Sequence, residues 1–283
     1  MQAKLKAPYV LSGLVTALMV VQSVLGLVFQ GEYRDVEWIK LTWFGNDWVT
    51  LVVAVPLMIV GLVLARQGST RGLLLWVGML GYSIYNYAFY LFGVALNAFF
   101  PFYVAAMILS VAALILVLSH IDVAAVAADF APKTPVRIIG GYLVFVAVTF
   151  FIVWPGMWAA YVFAGRPTPT PEPEAFKLVA ALDLTVMMPA LGMGGILLWR
   201  RKAWGYLIAA LAAIQGALYL LLLSVNTVLS ISRGLAEPPD PLPIWGTLFV
   251  ATTAAVVTLL ANVRPSATRT KGSARRPPQR SAV

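Results

Sequence analysis

One carboxylate lies deep inside an apolar stretch of this chain. Residues 178–199 are predominantly apolar, contain Asp183 and Pro189, and end at the cationic turn 200–202. An acid in hydrocarbon is costly, and such acids commonly serve ligand binding or proton exchange. Pro189 cannot donate a backbone hydrogen bond, which predicts a kink and a free carbonyl one turn from the acid. Asp183 is therefore a candidate proton- or solute-binding group.

Two other apolar stretches carry polar side chains at helical spacing. Members of both stripes recur every three or four residues, so each stripe occupies one helix face. The first stripe is Tyr82, Asn86, Tyr90, Gly93 and Asn97, and the second is Gln215, Tyr219, Leu223, Asn226 and Ser230. Each member of the second follows its counterpart by one constant interval, that from Tyr82 to Gln215, which we call the repeat interval. The two stretches are therefore expected to occupy equivalent positions.

Polar groups in hydrocarbon must turn toward protein or water. At a rise of ~1.5 Å per residue, Asn86, Tyr219 and Asp183 fall at a similar depth. We predict an outward-facing polar cavity that binds or transports a small molecule or a proton. Its candidate lining is Asp183, Asn86, Tyr82, Tyr219, Gln215, Asn226 and Asn97, and the helices beside it are kinked at Pro56 and Pro189. The alternative is that these groups only tie helices together, as they do in many bundles, in a membrane scaffold, sensor or assembly partner.

Composition restricts the chemistry further. Of the 283 residues, 61% are hydrophobic and 11% are charged, no cysteine is present, and His120 is the only histidine. Thiol chemistry and a multi-histidine metal site are thereby excluded. No phosphate loop, metal constellation or redox motif is present, so the sequence predicts neither a cofactor nor an enzyme.

The elements that position these residues are apolar runs of about 20 residues, the length that crosses a bilayer. We predict an all-α polytopic membrane helix bundle with eight spans. They are residues 8–30, 47–65, 72–93, 100–120, 138–163, 177–199, 204–230 and 244–262. Asp47 is then expected at the surface, at the end of the second span.

The distribution of Lys and Arg predicts the orientation. With both termini cytoplasmic, inner segments hold 15 of the 20 cations and outer segments hold 5. The outer loops 31–46, 164–176 and 231–243 carry most of the acids. This placement accounts for the net charge of +9 without a nucleic-acid partner.

A shift by the repeat interval also aligns Pro56 with Pro189 and Gly72 with Gly205. We predict two parallel four-helix repeats, residues 1–120 and 137–262, related by an axis along the membrane normal. Residues 121–136 form a cytoplasmic linker. Residues 263–283 form a basic, disordered tail that binds anionic lipid.

Two segments resemble a known family. Residues 46–105 and 182–209 contain Asp47…Pro56, Gly81-Tyr82…Tyr85-Asn86-Tyr87, Asn97…Tyr103, Asp183…Pro189 and Trp199-Arg200-Arg201…Trp204-Gly205-Tyr206. They resemble a widespread group of uncharacterised bacterial multi-pass membrane proteins. The resemblance covers about a third of the chain, and it implies a bacterial inner membrane but no substrate.

Overall fold

The computed structural model describes residues 6–170, 172–235 and 241–264. Nine helices lie within these ranges: α1 (Lys6–Val28), α2 (Glu37–Arg66), α3 (Thr70–Gly93), α4 (Phe100–His120), α5 (Val123–Ala128), α6 (Val136–Ala164), α7 (Pro173–Trp199), α8 (Ala203–Ser232) and α9 (Leu242–Ala261). A 3-10 turn, Gln30–Glu32, precedes α2. In the described part of the chain the only β-type pairing is an isolated bridge between Phe130 and Val263. The predicted all-helical class is confirmed.

Helix ends follow local sequence signals. The Ser69 hydroxyl accepts the Gly72 backbone N–H at 3.3 Å at the start of α3. Asp122 caps α5 by accepting the Ala125 N–H at 3.0 Å. Gly165 ends α6 with a left-handed φ of 64°, a conformation that costs glycine little.

Seven of the described helices are long and apolar enough to cross a membrane: α1, α2, α4, α6, α7, α8 and α9. The third predicted span is also helical, as α3, but its four tyrosines and Asn86 set it apart from these seven. Most of its side chains are buried in the bundle, so it does not need an apolar surface of its own.

Helices α3 and α8 form the centre of the bundle. Helix α3 packs on α2, α4 and α8, while α8 also packs on α7 and α9. The outer surface is apolar: on α6, Ile138, Phe145 and Ile152 recur every seven residues and are 75%, 64% and 68% exposed. Such a face is expected where lipid replaces water.

The second span begins earlier than predicted. Helix α2 starts at Glu37 rather than 47, so most of the predicted loop 31–46 is helical. Likewise α7 starts at Pro173 rather than 177. Hydropathy detects the apolar part of a helix, and both helices continue into sequence that is too polar for that signal.

The predicted linker 121–136 is an ordered part of the bundle. Helix α5 lies within it and packs against α8, and the Asp129 carboxylate accepts a hydrogen bond from Thr70. Arg264, which the sequence assigned to the tail, donates to the carbonyls of Ala128 and Phe130 at 3.2 and 3.1 Å. The rest of the predicted tail lies outside the described residues.

We expect Gly72→Ala to destabilise the protein by about 1–3 kcal/mol, the usual cost of overpacking. A Cβ at Gly72 would overlap the Ala65 backbone nitrogen, so the α2–α3 pair would have to separate. Gly13→Ala is the matched control, because a Cβ there meets nothing within 4 Å. Thermal unfolding in detergent measures both, and equal melting temperatures would contradict the close approach.

Candidate functional site

A cavity of about 560 Å³ lies at the end of the bundle where α2 and α7 begin. We call it the aromatic cavity, because rings dominate its wall. Helices α2, α3, α7 and α8 all contribute to that wall. Its lining includes Trp38, Thr42, Trp43, Asn46, Tyr82, Tyr85, Asn86, Phe89, Leu178, Tyr219, Leu223 and Asn226.

Three rings pack together on one side of the aromatic cavity. Tyr85 and Tyr219 meet edge to face with centroids 5.2 Å apart. Phe89 stacks on Tyr219 at 6.0 Å and meets Tyr85 edge-on at 5.1 Å. Tyr85 and Phe89 lie four residues apart on α3, which places them on one face. Because these rings support one another, the wall is preorganised.

Two asparagines of the lining have unpaired carbonyl oxygens. Asn86 is 1% exposed and donates a long bond of 3.5 Å to the Thr50 hydroxyl. Asn226 donates to the Asn46 side-chain oxygen at 3.1 Å. Within the described ranges, the side-chain oxygens of Asn86 and Asn226 are buried without a hydrogen-bond partner. Both oxygens are covered by protein atoms, and that of Asn226 lies against Gly45 of α2, where a Cβ would overlap it. A buried polar group without a partner is costly.

Asp183 does not line the aromatic cavity but lies directly behind its wall. It is 1% exposed and begins the π-helical turn Asp183–Met187 in α7. Tyr85 donates its hydroxyl to Oδ1, and Trp154 of α6 donates Nε1–H to Oδ2 at 2.9 Å. Tyr85 therefore touches both the cavity and the acid, and neither Tyr85 nor Trp154 was among the sequence candidates.

Asp47 is a second buried carboxylate, and its predicted surface location is wrong. It is 0% exposed because α2 begins ten residues before it and the turn after α1 folds over it. Oδ1 accepts from Gln22 at 2.9 Å and from Tyr90 at 2.7 Å, and Oδ2 accepts from Tyr33 at 2.6 Å. Burial, and then the neighbouring Asp47, raise the pKa of Tyr33 above its ordinary value, so the phenol remains a donor.

The other predicted residues are divided between the aromatic cavity and the helix contacts. Tyr82, Asn86, Tyr219 and Asn226 line the cavity. Gln215 lies outside the lining, with Nε2 3.8 Å from the Met187 sulfur.

Asn97 is also separate from the aromatic cavity. It caps the turn before α4 by accepting the Phe99 N–H at 2.9 Å, and it donates to the Tyr103 hydroxyl at 3.4 Å. The sequence placed it on the α3 stripe, but α3 ends at Gly93, so helical spacing no longer applies at position 97.

At the two predicted kinks, a π-helical turn precedes each proline. Thr50–Ala54 precedes Pro56, and Asp183–Met187 precedes Pro189. The N–H of Val55 bonds to the Thr50 carbonyl, and that of Met188 bonds to the Asp183 carbonyl, which are i+5 pairings. Such bulges often occur at functional sites.

The mouth of the aromatic cavity is charged. Glu172, Glu174 and Lys177 line it. Lys177 pairs with Glu174 one turn away, and Glu172 accepts the indole N–H of Trp38. Among the described residues, no group of three or more His, Cys, Asp or Glu side chains is placed to hold a metal ion. The lining therefore combines aromatic rings, amide side chains and charged groups at the mouth.

No known protein family, curated protein or solved structure matches the chain. The fold itself is compatible with an integral membrane protein, since seven described helices are long and apolar enough to span a bilayer. A more specific function must be inferred from the aromatic cavity and the residues around it.

Proposed function

We propose that this chain is a bacterial inner-membrane protein with eight spans and two cytoplasmic termini, whose aromatic cavity faces outward and binds a small solute. The observation that carries the binding proposal is the cavity of about 560 Å³, whose lining combines aromatic rings with the amide side chains of Asn86 and Asn226. A bundle in which polar groups only fix helix packing is expected to fill such a space.

The eighth span in this proposal is α3. Its 24 residues extend roughly 36 Å at ~1.5 Å per residue, which exceeds the hydrocarbon thickness. Helix α3 packs along α2, after a connection of only three residues. The chain therefore reverses direction at Gln67–Ser69, and α3 crosses the bilayer in the direction opposite to α2.

A parallel repeat is part of the proposal, and the turns between spans support it. Gly68 follows α2 with a φ of 84°, and Arg201, one repeat interval later, has a φ of 53°. Two hydrogen bonds recur with the same shift: Gly68 N–H to Ala65 O at 2.9 Å, and Arg201 N–H to Leu198 O at 2.9 Å. A left-handed backbone conformation is costly for an arginine. Its presence at Arg201, the position equivalent to Gly68, therefore favours a turn that the two repeats share.

The helices beside these turns also correspond. The two π-helical turns, Thr50–Ala54 and Asp183–Met187, are separated by the same repeat interval. Gly61 approaches the Trp76 backbone nitrogen so closely that a Cβ would lie 2.9 Å from it. With the same shift, a Cβ at Gly194 would lie 2.9 Å from the Ala209 nitrogen.

The contact between α3 and α8 fits a two-fold axis between the halves. Gly78 lies against Ile214, and Gly81 lies against Leu211. When the halves are aligned by the repeat interval, Gly78 corresponds to Leu211 and Gly81 to Ile214, so the two contacts are reciprocal. Reciprocal contacts are expected at a two-fold interface. Farther along α3, Tyr85 and Phe89 contact Tyr219 of α8, so over the whole contact the positions increase along both helices, as in a parallel pair.

The topology is tested by cysteine labelling, for which the natural chain provides a cysteine-free background. Loops rich in Lys and Arg remain in the cytoplasm, which places the loops of Gly31 and Thr168 outside. Cysteines at these two positions should therefore react with an impermeant thiol reagent in intact cells. A cysteine at Ser273 should react only after the cells are opened. Labelling of Ser273→Cys in intact cells would reject this orientation.

The open cavity is tested with Leu223→Cys. Leu223 lies in the lining between Tyr219 and Asn226 on α8, so the new thiol should react with an impermeant reagent in intact cells. Ser83→Cys is the matched control, since Ser83 is 0% exposed and bonds Ser110 at 2.8 Å. If Leu223→Cys is as inert as Ser83→Cys, the bundle is closed and the scaffold alternative is favoured.

A further inference from the structure

We infer that the ligand of the aromatic cavity is a small organic cation with an apolar body. This inference depends on the proposed binding function, and it adds the chemical class of the ligand. Three features of the lining point to it: unpaired amide acceptors, a cluster of aromatic rings and an acidic mouth.

The first feature is the unpaired acceptors. The amide oxygens of Asn86 and Asn226 are buried without partners within the described ranges, and both residues line the cavity. An amide oxygen accepts and cannot donate. These oxygens are covered in the structure, so a ligand meets them only after the amide side chains rotate toward the cavity. A ligand that then satisfies them must carry N–H or O–H donors or a positive charge.

The second feature is the aromatic wall. Tyr85, Phe89 and Tyr219 form one ring cluster, and Trp38 and Trp43 of α2 also line the cavity. Ring faces carry negative electrostatic potential and attract ammonium groups, most strongly where water is excluded. The same rings provide the apolar contact that most small-molecule sites need.

The third feature is the charge around the aromatic cavity. The acidic residues at the mouth outnumber the single lysine, Lys177, which is already paired with Glu174. Glu172 and Glu174 against Lys177 leave one net negative charge at the mouth. The potential there should therefore favour cations.

The test compares two reagents of similar size and opposite charge on Leu223→Cys in intact cells. They are trimethylammonioethyl methanethiosulfonate and sulfonatoethyl methanethiosulfonate. Their rate ratio is normalised to that at Gly31→Cys, a loop site where a new side chain meets nothing within 4 Å. We expect the cationic reagent to be favoured by about tenfold at the cavity. A normalised ratio of one or less would overturn the cation class.

Two variants locate the preference. Tyr219→Phe keeps the ring and should keep the ratio, whereas Tyr219→Leu should lower it. Glu172→Gln should also lower the ratio, since it removes negative charge from the mouth. If both Tyr219→Leu and Glu172→Gln leave the preference unchanged, neither the rings nor the mouth selects a cation, and the inference is wrong. An inert Leu223→Cys is a different result, because it removes the open cavity and the proposed function with it.

A competition experiment uses an unreactive cation. Choline should slow the modification of Leu223→Cys, and its uncharged isostere, with a quaternary carbon in place of the nitrogen, should slow it much less. Choline should leave the rate at Gly31→Cys unchanged. Equal slowing by the two compounds, or slowing by neither, would contradict selection for an organic cation.

Discussion

Asp47→Leu should destabilise the protein by about 3–6 kcal/mol, because each buried donor left unpaired costs roughly 1–3 kcal/mol. Three donors would lose this acceptor: the Gln22 amide and the hydroxyls of Tyr33 and Tyr90. The amide keeps a longer bond to the Tyr33 hydroxyl at 3.3 Å, and the Tyr90 hydroxyl keeps one to a backbone carbonyl at 3.4 Å, so the total falls below three full penalties. These groups come from α1, the turn after it, and α3, so the carboxylate joins three separate segments. The site also has no room to relax, since a Cβ at Gly26 would overlap Oδ2 of Asp47.

Reversible unfolding in detergent or bicelles measures the change. Asp47→Asn keeps one acceptor oxygen and should cost less than leucine. Glu37→Gln is the surface control on the same helix, because its pairing with Lys40 at 3.9 Å is exposed and worth about 1 kcal/mol or less. If Asp47→Leu is as mild as Glu37→Gln, the carboxylate does not hold these segments together.

Asp183→Leu should have the second large effect, of about 2–4 kcal/mol, since two donors lose their partner. Those donors are the Tyr85 hydroxyl and the Trp154 indole. Because Tyr85 also forms the wall, the substitution should disturb ligand access as well as stability. Asp183→Asn should fold and insert normally, since its carbonyl can still accept one of the two bonds.

A double-mutant cycle separates the two effects. Tyr85→Phe keeps the ring and removes only the hydroxyl, so it should be mild by itself and should reduce the additional cost of Asp183→Leu. Reactivity of Leu223→Cys in the same backgrounds reports the shape of the aromatic cavity. Strict additivity of Tyr85→Phe and Asp183→Leu would contradict a direct bond between the wall and the acid.

The sequence predicts the helices well, because each apolar run is long and bounded by charged or turn-forming residues. It also places Tyr82, Asn86, Tyr219 and Asn226 on faces that the structure brings to one cavity. The sequence could identify these side chains because residues spaced three or four apart in one helix lie on the same face of that helix.

The roles of Asp47 and Tyr85 could not be read in the same way. Asp47 is buried by residues that precede it by 14 and 25 positions and by Tyr90 in another helix. Tyr85 lies one position before Asn86, and its contact with Asp183 joins residues 98 apart. Periodicity does not indicate which helix faces which. The only sign of these contacts in the sequence was the presence of hydrogen-bonding side chains and tyrosines in the segments that form α1, α2 and α3.

Hydroxyl-radical footprinting of the natural chain in nanodiscs tests the central claim most directly, because radicals generated from water modify side chains that contact water. Tyr85 and Tyr219 line the aromatic cavity, whereas Tyr87 is 0% exposed and lies outside that lining. We predict that Tyr219, which is half-buried, is modified much faster than Tyr87, that Tyr85, which is 3% exposed, is modified at an intermediate rate, and that choline slows both. Equal protection of all three tyrosines would show a dry bundle and contradict an outward-facing binding cavity.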